Sequence, residues 1–158
     1  MRSFFITMSL LFTLATGACA KPVGIDPAQV QETGLTSQQA EQVLRMAIAR
    51  GPYRHWLNSR NAYIESLDDK TKQAVHGFYM FRLAFDSPNA LATAYAGPYL
   101  ISQKTADVWD VSLSSACKNL HFPSLTKLQK QLRKETKTSA EDERSLRNNF
   151  DCFDKSPS

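Results

Sequence analysis

The sequence contains none of the compact motifs that usually identify an enzyme. It has no G-x-G-x-x-G or P-loop glycine pattern, no H-E-x-x-H, no C-x-x-C and no G-x-S-x-G. These absences disfavour cofactor-dependent enzymes, so we predict no cofactor, no metal site and no catalytic residue. No apolar run reaches the about 20 residues that a transmembrane helix needs. We therefore expect no transmembrane segment in the mature chain.

Cysteine is also scarce, and the first of the three cysteines lies behind an apolar N-terminal run. Residues 1–20 combine the basic Arg2, a mostly apolar stretch over residues 4–14 and small residues that end at Ala20. This order is typical of a secretory signal peptide. We expect residues 1–20 to be removed and the mature protein to be periplasmic or extracellular.

Two cleavage sites compete within this segment. Ala18-Cys19-Ala20 fits the A-x-A pattern, with a cut before Lys21 that discards Cys19. Alternatively, Cys19 is the lipidated first residue of a lipoprotein, although Thr16 stands where such signals usually carry leucine. We favour the first site, which leaves Cys117 and Cys152 as an even pair. In an exported chain, such a pair predicts a disulfide.

Size and charge set further bounds. Removal of 20 of the 158 residues leaves 138, enough for one domain, which we place at residues 21–158 with a short frayed C-terminal tail. Without Arg2, 18 basic residues face 15 acidic ones, an excess too mild to predict nucleic-acid binding. The basic residues concentrate in residues 118–137. We interpret this stretch as a solvated helix face, with an acidic partner as the alternative.

Hydrophobic spacing predicts an all-α fold, a single compact bundle of about five to seven short helices. Thr36 and Gln39 fit a capping box, and apolar residues at helical spacing follow up to Ile48. Asp68 or Asp69 can cap a helix that carries Ala74 and Val75 and ends by Asp86, and because residues 78–85 are apolar nearly all round we interpret it as a central helix. The alanine-rich residues 89–96 predict another helix, and Pro123 opens an amphipathic one. Residues 108–111 alone suggest a short strand.

The polar residues give weak evidence for chemistry. His55, His76 and His121 form no compact metal-binding spacing, and Cys117 with His121 offers only half a metal site. Glu65, beside Asp68 and Asp69 near a predicted helix boundary, is a possible catalytic carboxylate. We favour helix capping for these carboxylates.

One segment, residues 51–63, has the composition of a binding surface. Tryptophan, tyrosine and arginine dominate binding hot spots. The candidate interface comprises Tyr53, Arg54, His55, Trp56, Arg60 and Tyr63. If Trp56 turns inward, Arg54 and His55 face solvent or a partner.

Export, small size and this segment together favour a binding protein over an enzyme. We predict a stoichiometric inhibitor or immunity-type protein that binds another protein, a toxic cell-envelope hydrolase, and neutralises it. One alternative is a small exported hydrolase of cell wall or lipid that uses Glu65 or a histidine. Another is an envelope-assembly helper or chaperone.

Overall fold

The computed structural model describes residues 25–26, 29–68, 75–87, 92–112 and 117–148. Within these ranges the chain combines an antiparallel sheet with short helices. The helices are α1 (Ser37–Ile48), α2 (Arg54–Leu57), α3 (Pro123–Glu135) and α4 (Ala140–Arg147). The strands are β1 (Ala62–Ser66), β2 (Phe78–Asp86), β3 (Thr93–Ser102), β4 (Val108–Asp110) and β5 (Lys118–Asn119). They lie in the sheet in chain order, each antiparallel to the next.

The prediction of an all-α bundle is therefore wrong. The stretch that we interpreted as a central helix is β2, and the alanine-rich stretch leads into β3. The sequence of β2, FYMFRLAFD, is rich in aromatic residues, which fit the pleated surface of a sheet. Most of β2 is covered on both faces, so its apolar residues form a run instead of alternating with polar ones.

The two faces of the sheet carry separate apolar clusters. Phe81 and Leu83 of β2 belong to the main core, which includes buried residues of α1 and α3. Met80 belongs to a second cluster, together with Leu100 and Trp109. A register shift opposite Phe81 and Leu83 gives β3 an extra residue, at the Gly97-Pro98 peptide. This dipeptide accompanies a bulge in the strand.

Helices α1 and α3 confirm the helical part of the prediction. The Thr36 hydroxyl accepts the Gln39 N–H at 3.2 Å, and the Gln39 side chain accepts the Thr36 N–H at 2.8 Å. The apolar residues predicted for the two inward faces are all buried: Ala40, Val43, Leu44, Ala47 and Ile48 in α1, and Leu125, Leu128 and Leu132 in α3. Helical spacing therefore identified the faces that pack on the sheet. The suggested short strand is confirmed as β4.

Gly34 fixes the start of α1 against the β3–β4 turn. Its φ is +107°, and a Cβ at this position would lie 2.5 Å from the Gln103 carbonyl oxygen. The N–H of Leu35 donates to that same oxygen at 2.7 Å. A side chain at residue 34 would therefore disrupt the contact that places α1 on the sheet.

Several predictions fall outside the described residues. These include the signal segment with Cys19, and also Asp69 and Cys152. Because only Cys117 of the predicted pair is described, the disulfide stays a prediction. Over the described ranges, no helix is long and apolar enough to cross a membrane.

Candidate functional site

The six residues of the predicted interface do not form one surface. Trp56 turns inward as expected, and its ring stacks on Phe85 with 5.4 Å between ring centroids. The Tyr53 ring packs beside the Trp56 ring, with 5.2 Å between the ring centroids. Arg54, His55 and Arg60 are exposed around α2. Tyr63 lies on the opposite face of the sheet, because its neighbours along β1 pack against the main core.

Tyr63 belongs to a group that we call the sheet-face cluster, comprising Tyr63, Glu65, Arg82 and Tyr95. Tyr63 and Tyr95 are 42% and 50% exposed. The Arg82 Nε donates to Glu65 at 2.6 Å, and its guanidinium carbon lies 3.9 Å from the centre of the Tyr95 ring. The hydrogen bond to Glu65 is the main cause of a raised pKa at Arg82. The cluster is therefore an arginine held between a carboxylate and an aromatic ring, a composition common at protein interfaces.

A second candidate surface is a cleft of about 400 Å³ between the end of α1 and the β4–β5 region. We call it the α1–β5 cleft. Gly51, Pro52 and Tyr53 of the predicted interface segment line one side of it. Lys118 and Asn119 of β5 line the other side, and the turn into α3 completes it. The cleft thus joins two segments that stood apart in the sequence prediction, the aromatic segment and the start of the basic stretch.

The polar groups of the α1–β5 cleft differ in their surroundings. Arg50, an exposed residue, places its guanidinium carbon 5.1 Å from the centre of the Phe122 ring. Tyr99 is only 2% exposed. Burial, followed by the charge of Asp110, raises the pKa of its hydroxyl. The Asn119 Oδ1 atom is buried and accepts no hydrogen bond from any described residue. The cleft therefore combines exposed cations with a buried, unsatisfied acceptor.

The predicted histidine and carboxylate residues do not assemble into a catalytic group. His76 lines a separate cavity of about 720 Å³. His121 lines the α1–β5 cleft, and its Nε2 atom forms a hydrogen bond of 2.9 Å with the Thr126 hydroxyl. Glu65 pairs with Arg82, and the Asp68 carboxylate accepts the Met80 N–H at 2.8 Å. Among the described residues, no group of three or more potential ligands could hold a metal.

Sequence reasoning missed Arg50, Arg82, Tyr95 and Asn119 as candidates. Arg82 carried a usable signal, since it is a lone charge inside an apolar run. Tyr95 lay in a segment that we had interpreted as a helix. The roles of Arg50 and Asn119 depend on tertiary contacts that no local pattern reveals.

A small antiparallel sheet backed by helices, with an exposed Tyr–Arg cluster and a cationic cleft, defines a compact domain suited to protein binding. Residues 34–144 match the family described as "T6SS, Immunity protein Tgi2PP". The chain belongs to this family and is an immunity protein, as the sequence predicted.

A solved structure supports this assignment. It is a type VI secretion system effector–immunity complex from Pseudomonas protegens, and one of its chains has a TM-score of 0.70 and 34% sequence identity to this protein. The match covers 82% of this chain and 98% of that chain. A comparison with the curated proteins finds no match.

Proposed function

We propose that this immunity protein binds a secreted effector in the cell envelope and neutralises it, and that the effector is a cell-envelope hydrolase. The similarity to a chain of an effector–immunity complex carries this proposal, because it extends over 98% of that chain at 34% identity. The two surfaces described above supply aromatic and arginine side chains of the kind that dominate protein interfaces.

The predicted signal segment supports the envelope as the place of action. A hydrolase of wall or lipid meets its substrate outside the cytoplasm, so an inhibitor has to reach the same compartment. The order of basic, apolar and small residues in residues 1–20 is what export requires.

Protection of cells tests the proposal. A candidate effector, chosen from the genes next to the one that encodes this chain, is directed to the periplasm of a susceptible host, with or without the full-length protein. We expect lysis without it, and survival and co-purification of both proteins with it. A variant that lacks residues 2–20 should bind the effector in vitro but fail to protect.

Two outcomes would contradict the proposal. The first is no binding between the purified protein and the effector. The second is digestion of peptidoglycan or lipid by the purified protein itself, which would favour the hydrolase alternative. Assay of the effector alone, of this protein alone and of the mixture separates these cases.

A further inference from the structure

We propose that the α1–β5 cleft receives an acidic side chain of the effector, presented on a loop of that protein. This inference rests on the proposed function and adds to it the chemistry of the partner. Arg50 and Lys118 of the cleft form no ion pair with a described residue, whereas Arg82 of the sheet-face cluster is paired with Glu65.

The charge balance of the cleft is positive. Arg50 and Lys118 both line it, both are exposed, and neither forms an ion pair with any described residue. Asp110 is the one carboxylate among the described lining residues, and its Oδ1 accepts the Ser112 N–H at 3.0 Å. Two cations against one carboxylate favour an anionic occupant.

Arg50 is held in position to accept that occupant. Its guanidinium lies against the ring of Phe122, which is itself half-buried at the start of α3. A guanidinium that stacks on a ring keeps its N–H groups at the edge available for a carboxylate. The side chain therefore loses less conformational freedom on binding than a free arginine would.

Asn119 adds a requirement for a hydrogen-bond donor. Its buried Oδ1 has no hydrogen-bond partner within the part of the chain that the structure describes, and an unsatisfied buried acceptor costs free energy. An acidic side chain brings no donor of its own, but the backbone N–H groups of a loop that carries it do. A loop with an exposed acidic residue meets both needs of the cleft.

The sheet-face cluster does not require a carboxylate from a partner, because Arg82 already donates to Glu65 at 2.6 Å. An added carboxylate there would have to displace one that is already in place. This difference assigns the acidic contact to the α1–β5 cleft.

Charge reversal tests the proposal. The affinity for the same candidate effector is measured by titration calorimetry for the wild type, Arg50→Glu, Lys118→Glu and the double variant that carries both changes. We expect each charge reversal to raise the Kd roughly tenfold or more, as for charge pairs at other interfaces. The affinity of the wild type should fall as the salt concentration rises. The affinity of the double variant should depend less on the salt concentration.

Lys104→Glu provides the matched control. Lys104 is exposed and lies in the β3–β4 turn, beside the start of α1 and not in the cleft. The same change of charge there should alter the Kd by no more than about twofold. Thermal unfolding of every variant checks folding, and Arg50→Gln replaces Arg50→Glu if the reversal unfolds the protein.

The outcomes separate this inference from the proposed function. If the wild type binds the effector and both reversals bind equally well or more tightly, the acidic contact is wrong and the proposed function stands. An equal loss of affinity in Lys104→Glu also overturns the site, because it would show only a general effect of charge. If the wild type does not bind, the proposed function itself fails.

Discussion

The guanidinium carbon of Arg50 lies 5.1 Å from the centre of the Phe122 ring, and this contact joins the end of α1 to the start of α3. The two residues are far apart in sequence, yet together they form one rim of the α1–β5 cleft. The position of Arg50 therefore depends on Phe122 as well as on the turn that follows α1.

Replacement of Phe122 by leucine should weaken effector binding. Leucine keeps an apolar side chain but removes the ring under Arg50, and a cation–π contact at an exposed site contributes about 0.5–1 kcal/mol. We expect a loss of affinity of about two- to fivefold, measured by calorimetry. The loss should shrink when Phe122→Leu is combined with Arg50→Gln, because the two changes remove the same interaction.

Tyr95→Leu is the matched control for this prediction. It removes the ring under Arg82 in the sheet-face cluster and leaves the α1–β5 cleft intact. Any change in Kd for this variant should add to that of Arg50→Gln instead of shrinking, because the Tyr95 ring lies under Arg82 and not under Arg50. If Tyr95→Leu weakens binding and Phe122→Leu does not, the contact lies on the sheet face.

Asn119→Ala should separate binding from stability. The buried Asn119 Oδ1 atom has no hydrogen-bond partner among the described residues, so its removal should not lower the free energy of unfolding. Loss of a hydrogen bond formed only in the complex should cost about 1 kcal/mol of binding, or about fivefold in Kd. Denaturant unfolding and calorimetry measure the two quantities. Equal affinity of variant and wild type would contradict the predicted donor from the effector.

The helices could be predicted because their signals are local. The capping box of Thr36 and Gln39 and the helical spacing of α1 and α3 needed no knowledge of the remaining fold. The sheet could not be predicted in the same way, because β2 is covered on both faces and lacks period-two alternation. Length, aromatic content and the lone Arg82 favoured a strand over a helix, but apolar spacing alone did not distinguish them.

The residues of the predicted interface lie on different surfaces of the fold. The segment that contains Tyr53 and Trp56 does adjoin the α1–β5 cleft, yet Tyr63 lies on the other face of the sheet. Side chains alternate between the two faces of the sheet along β1, so Tyr63 faces away from the main core. A helical interpretation of this stretch places Tyr63 on the wrong face. Arg50 and Lys118 line the same cleft because α1 packs on β3 and β4, and β5 pairs with β4.

Arg133 should contribute to stability through its buried partner. Its Nη2 lies 3.2 Å from both carboxylate oxygens of Asp107, which is 6% exposed, and its Nε contacts Glu143. Arg133→Met removes both contacts and with them one charged partner of the buried Asp107 carboxylate. We expect a loss of roughly 1–3 kcal/mol in the free energy of unfolding, measured by urea denaturation.

Lys137→Met is the control for this prediction. Lys137 pairs with Glu32 at 2.6 Å, but both side chains are about three-quarters exposed. Such pairs contribute little, so this variant should unfold at the wild-type urea concentration. A similar loss in both variants would show that net charge, not the buried contact, sets the effect.

The stability of the protein should fall in alkali because of Tyr99. Burial, and then the charge of Asp110, raises the pKa of this hydroxyl, so the folded state holds the proton more tightly than the unfolded state. The contribution is complete below the unfolded pKa of about 10 and is lost as the pH rises towards the folded pKa.

Tyr99→Phe has no proton to lose there, so its free energy of unfolding should decline less between about pH 9 and pH 11. Asp110→Asn, which removes the second cause, should decline by an intermediate amount. Denaturant unfolding at a series of pH values measures all three proteins, and parallel curves for wild type and Tyr99→Phe would contradict the assignment.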